Sequence, residues 1–172
     1  MSKPAAPFTS HATLIGRVTI AWNTAHYFLF QVFLALQPKP HLEFAEAIFF
    51  ELKSDRAQRD LTLAATKAMI TDPDLRKETV DAIDRLHNLA SRRNAVTHAM
   101  WAFQPHPDSG KVLWRPHATL SKTDIKAELN ALASDILGAT VTIFELSQKV
   151  ASHIRNQRLA AALLTPAPPN KM

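Results

Sequence analysis

The sequence predicts an all-α fold: an up-and-down bundle of four to five helices, with a short hairpin or loop insertion before the last helix. Three observations predict it. Apolar residues recur at three- and four-residue spacing along most of the chain. Glycine is scarce, at 3 of 172 residues, and the prolines gather at the ends and in the connectors, which argues against a β-rich fold. Hydrophobic content of 47% with 20% charged residues is ordinary for a globular domain with a real core. The expected organisation is a disordered lead-in over 1–9, one helical domain over 10–164 and a disordered, proline-containing tail over 165–172.

The first helix is expected from about His11 to Leu36, with Ser10 as its N-cap. Its stripe includes Leu14, Val18, Ala21, Trp22, Ala25, Leu29, Val32, Phe33 and Leu36. Val18 to Gln37 carries no Asp, Glu, Lys or Arg, which raises the question of a membrane span. Thr19, Asn23, Thr24, His26 and Gln31 interrupt that run, so a central bundle helix is the expectation, with no membrane partner. Met1 to Phe8 lacks the apolar run of a signal peptide.

Pro38 and Pro40 break the chain, and a second helix is expected from about His41 to Lys53. Ser54 or Asp55 reads as a cap or a kink. The pattern resumes through Leu61, Ala64, Ala65, Ala68 and Met69, and the sequence leaves open whether 41–70 is one bent helix or two. Asp72-Pro73 is a strong start signal, because the carboxylate caps orphan amides and proline suits the first helical position. The next helix runs to about Met100, with Val80, Ile83, Leu86 and Ala90 as its stripe. Trp101-Ala102-Phe103 and Val112-Leu113-Trp114 flank the turn signature Pro107-Asp108-Ser109-Gly110, which fits a short hairpin or an ordered loop. Ser121 or Thr123 is the expected cap of the last helix, with Asp124 in its first turn. Its stripe runs from Ile125 to Ile154 and extends towards Leu164.

The motif stretch is Arg92-Arg93-Asn94-Ala95-Val96-Thr97-His98-Ala99-Met100-Trp101. Extending the upstream stripe brings it to Asn94, Thr97 and Trp101, with Arg93 on one flank and His98 on the other. A face that should be buried thus turns polar, which is costly unless the groups satisfy one another or line a binding groove. Asn94 and His98, four apart, stack on one side of a helix. Arg92 falls on the opposite, solvent side, so Arg93 is the arginine expected to act.

Arg93-Asn94 with His98 four residues on resembles the Arg-x4-6-His motif of the HEPN family (higher eukaryotes and prokaryotes nucleotide-binding domain), whose common form has a polar residue directly after the arginine. Relatives often follow the histidine with glycine; this chain has Ala99. The resemblance implies an all-α bundle, a homodimer, and metal-independent RNA cleavage by 2′-hydroxyl attack. It also implies a toxin or defence role with an inhibitory partner protein. In that reading His98 is the acid–base group, Arg93 the phosphate clamp and Asn94 the orienter of His98 or the phosphate. An imidazole titrates near neutrality and a guanidinium offers a fixed fork of donors, as this chemistry needs. In a two-fold dimer the two motifs would face a shared groove. Arg92, Trp101, Asn23 and His26 are the candidate substrate-binding residues, with Trp101 able to stack on a base. The alternative is a catalytically silent dimerisation or interaction module, in which Arg93, Asn94 and His98 form a structural polar network.

Composition narrows the alternatives. With no cysteine there is no disulfide framework, thiolate metal site or cysteine nucleophile, and a reducing compartment is compatible; the expected location is cytoplasmic. Net charge is +5 and the pI about 9.7, in keeping with an RNA partner. No acid follows Glu145, so Lys149, Arg155 and Arg158 make a basic end, which either attracts anions or complements the helix dipole. His106, Asp108 and His117 lack a compact ligand spacing, so no metal and no cofactor are expected. No P-loop, dinucleotide fingerprint or Gly-x-Ser-x-Gly elbow is present, which disfavours NTPase, Rossmann and hydrolase readings.

Overall fold

A computed structural model describes residues 6–104, 111–115 and 124–164. The fold is an all-α bundle of five helices: α1 (Ala6–Leu36), α2 (Leu42–Glu51), α3 (Asp55–Met69), α4 (Pro73–Thr97) and α5 (Ile125–Leu164). Between α4 and α5 lies the expected hairpin, β1 (Met100–Gln104) paired antiparallel with β2 (Lys111–Arg115), with Trp101 opposite Trp114. The turn residues Pro107 to Gly110 and the candidate loop ligands His106, Asp108 and His117 lie outside the described residues, as do 1–5 and 165–172.

Local chemistry accounts for most boundaries. α1 starts at Ala6, earlier than expected, so Thr9 and Ser10 are helical and Ser10 is not the cap. Residues 41–70 form two helices. The His41 ring accepts from the Phe44 amide at 3.3 Å to start α2, and the Ser54 hydroxyl accepts from the Ala57 amide at 3.1 Å to start α3. Ser54→Ala is expected to cost about 1 kcal/mol, read as a small fall in the denaturation midpoint. Asp72 caps α4 as expected, accepting from the amides of Asp74 and Leu75 at 2.9 and 3.2 Å. For α5 the cap is Asp124 itself, which accepts from the Ala127 amide at 3.0 Å. Ser121 and Thr123 were the expected caps; both lie outside the described residues.

The chain clusters into two compact units, one of Met1–Tyr27 with Ala82–Thr142 and one of Phe28–Asp81 with Ile143–Met172. In the first, Val18, Trp22, Ala25, Leu86, Val96, Leu129, Leu132 and Ile136 are buried from α1, α4 and α5. Arg17 of α1 donates to the Asn130 side chain of α5 at 3.4 Å.

In the second unit an aromatic group joins α1 to α2: Phe30 lies 5.4 Å from Phe49 and 5.1 Å from Phe50, and Phe33 lies 5.6 Å from Phe49. Lys149 of α5 pairs with Glu78 of α4 at 2.8 Å. That hydrogen bond raises the Lys149 pKa above its ordinary 10.5, helped by the nearby Glu78 charge. The pair's contribution is therefore full below the ordinary lysine value and is lost as pH rises through the higher folded value.

α3 departs from its expected stripe. Its buried side chains are Arg59, Thr62 and Thr66, while Ala64 and Ala68 are exposed. Threonine can turn inward because its hydroxyl bonds back along its own helix: Thr62 donates to the Gln58 carbonyl at 2.9 Å. Among the described residues one helix, α5 over Ile125–Leu163, is long and apolar enough to cross a membrane. Its Leu129, Leu132, Ile136, Ile143 and Val150 are buried, as in a core helix.

Candidate functional site

The motif sits on the last turn of α4, within the first unit. The buried stripe of α4 is Ala82, Ile83, Leu86, Leu89 and then Ala95 and Val96. Leu89 and Val96 are two turns apart, and the residue between them on that line is the half-buried Arg93. Asn94 and Thr97, expected on the stripe, are exposed. The stripe is thus rotated by about one residue from the sequence expectation. Arg93 carries it across the polar break.

A buried-side arginine needs a surface and a partner, and it has both. Its guanidinium carbon lies 5.3 Å from the ring centre of Trp22 on α1, a distance at which the cation is attracted to the aromatic face. Its Nη1 donates to the Asn94 side-chain oxygen at 3.0 Å. Asn94 therefore orients the arginine, where the sequence suggested that it orients His98 or the phosphate. Trp22 is itself 1% exposed, so the platform is fixed by core packing.

His98 lies just past the end of α4. Its amide donates to the Asn94 carbonyl at 2.9 Å, which carries the helical turn one residue beyond Thr97. The Thr97 hydroxyl lies 3.3 Å from the carbonyls of both Arg93 and Asn94, an additional donor along its own helix end. His98 is exposed. Arg93, Asn94 and His98 thus occupy one helix end, with a held guanidinium and an exposed imidazole on adjacent turns.

The other candidates are placed differently. Arg92 does not face solvent alone: its Nη1 is 2.9 Å from Asp135 and its Nη2 is 3.8 Å from Glu128, both on α5. It ties α4 to α5. Arg92→Gln is expected to cost about 1 kcal/mol or less, because the pair is partly exposed; thermal melts of the two proteins check this. His26 is 9% exposed and its ring centre lies 5.0 Å from that of Trp22, so it joins the packing around the tryptophan. Asn23 is exposed on α1. Trp101 belongs to β1, and the placement of its side chain lies outside the described residues. Trp22 is the participant that sequence reasoning missed as a site residue. It stands in the core stripe of α1, and nothing in the linear pattern assigns it to Arg93.

Compared with family models, with curated proteins and with solved structures, the chain finds no significant match. The functional reading therefore rests on the residues and their geometry.

Proposed function

We propose that this chain is a HEPN-like endoribonuclease that cleaves RNA without a metal ion. The observation that carries the reading is that one helix end bears both the held Arg93 and the exposed His98. In the proposed reaction the His98 imidazole takes the proton of a ribose 2′-hydroxyl. The oxygen attacks the adjacent phosphorus, and the bond to the 5′ oxygen breaks. That oxygen takes a proton from solvent, to which His98 is exposed. The products are a 2′,3′-cyclic phosphate and a 5′-hydroxyl. Arg93 stabilises the charge on the non-bridging oxygens, where fixed donors are worth most. Trp22 and Asn94 hold the guanidinium in advance, so it needs little reorganisation when the substrate arrives. The net charge of +5 favours a polyanionic substrate. The test is incubation of the purified chain with varied single-stranded RNAs in excess chelator. Cleavage is expected; intact RNA across all substrates would remove the proposal.

A second reading is favoured by one observation. Arg93 lies on the buried stripe and packs on a core tryptophan, as a purely structural arginine would. On that reading the motif fixes helix packing in an interaction module. Arg93→Ala would then lower the melting temperature while no RNA is cut by either protein.

A further inference from the structure

Towards the end of α5 the chemistry of the helix changes along its length. Ser152, Arg155 and Asn156 are exposed and polar, and Ile154 is the last buried residue of the helix among those described. From Leu159 the run Leu-Ala-Ala-Ala-Leu-Leu carries no polar side chain. Leu159 is 58% exposed and Leu163 87%, more than any other large apolar side chain among the described residues. Arg155, Leu159, Ala162 and Leu163 recur at helical spacing, so one exposed face runs from a guanidinium to two leucines.

The cations behind the leucines are uncompensated. Arg155 has no ion-pair partner among the described residues. Arg158 donates to the main-chain carbonyl of Gln37, a neutral acceptor that leaves its charge in place. No acid follows Glu145 in the sequence, and Lys171 adds a further cation. A partner for this end must therefore offer two things at once: an apolar layer for the leucines and anions one or two turns back for the arginines. Nucleic acid supplies the anions and leaves the leucines in water. An anionic bilayer supplies both.

We propose that the end of α5 is a peripheral membrane contact: Leu159 and Leu163 seat at the acyl boundary of an anionic lipid bilayer, and Arg155 and Arg158 hold the lipid phosphates. The dimensions agree. Leu163 lies roughly 7.5 Å along the helix from Arg158 and about 12 Å from Arg155 at the helical rise, and interfacial helices bury their apolar face about 5–10 Å deep. Long arginine stems let the charge stay among the headgroups while the leucines enter. This is contact without crossing. The apolar run Leu159–Leu164 is far shorter than the roughly 20 residues that a span needs, and the preceding Leu146, Val150 and Ile154 are buried in the fold.

The inference does not rest on the ribonuclease reading. None of its residues belongs to the motif, so lipid binding and RNA cleavage are separate readouts. The experiment is flotation of the full chain at low salt with vesicles of equimolar phosphatidylcholine and phosphatidylglycerol, beside vesicles of phosphatidylcholine alone. Wild type should float with the mixed vesicles and not with the neutral ones, and added salt should release it. L159D/L163D should weaken binding about 100-fold or more, because the leucines lose the acyl boundary and carboxylates face anionic lipid. R155Q should weaken it about fivefold, the share of one basic residue at such a surface. The mutated positions are exposed, so folding is expected to survive, and circular dichroism checks it. Because the chain has no cysteine, Leu163→Cys carries a polarity-sensitive dye at one place. Its emission should shift to the blue on the mixed vesicles, and the same dye on Asn88→Cys, exposed on α4, should not respond. Wild type that floats with neither vesicle would overturn the proposal. So would binding indifferent to L159D/L163D, or an equal dye response at the two positions. Retention of a short single-stranded RNA that R155Q weakens, without flotation, would assign the arginines to nucleic acid instead.

Discussion

Replacing Trp22 with alanine is expected to destabilise the fold by about 3–5 kcal/mol, the range for removing a large buried aromatic. Trp22 is 1% exposed and touches both Arg93 and His26, so its loss opens a cavity and removes the surface on which the guanidinium rests. Chemical denaturation checks the first effect: the midpoint should fall with little change in slope. RNA cleavage checks the second. Trp22→Phe is the informative companion. It keeps an aromatic face and most of the volume, so it should retain most of the stability and part of the arginine's placement. Should Trp22→Ala prove as stable as wild type, Trp22 would not be the core platform described here.

His98→Ala is expected to reduce RNA cleavage by about 10²–10⁴-fold, the usual contribution of a positioned proton carrier. Its effect on stability should be small, within about 0.5 kcal/mol, because the imidazole is exposed and lies beyond the last residue of α4. This separation distinguishes the two readings of the motif. A catalytic His98 loses activity and keeps its melting temperature. A structural His98 shifts the melting temperature. Arg93→Ala is less clean for this purpose, since it removes both a guanidinium over Trp22 and a partner of Asn94.

Chain punctuation was readable from the residues. Asp72-Pro73 started α4 where its capping chemistry requires, and the proline pair at 38 and 40 separated α1 from α2. The side a helix buries was less readable. Adjacent residues on a helix are about 100° apart, so a stripe carried forward one turn too far lands on Asn94 and Thr97 instead of Arg93 and Val96. Sequence hydrophobicity favoured the mistake, because it scores arginine as outward-facing. The aliphatic stem of Arg93 and the face of Trp22 reverse that preference locally. In α3 the same scoring placed alanines inside and threonines outside, whereas backbone-bonded Thr62 is buried. The partners of Arg92, on a helix more than thirty residues away, leave no trace in a local pattern. Asp124 as the cap of α5 was hidden by two neighbouring residues with equal capping chemistry.

The central claim is that Arg93 and His98 form a metal-independent ribonuclease site. The most direct test is the chemistry of the RNA ends left by wild type in excess chelator, beside His98→Ala of equal melting temperature. The account predicts 2′,3′-cyclic phosphate and 5′-hydroxyl ends from wild type, and intact RNA from the mutant over the same period. Ends bearing a 3′-hydroxyl, or equal cleavage by the two proteins, would contradict it.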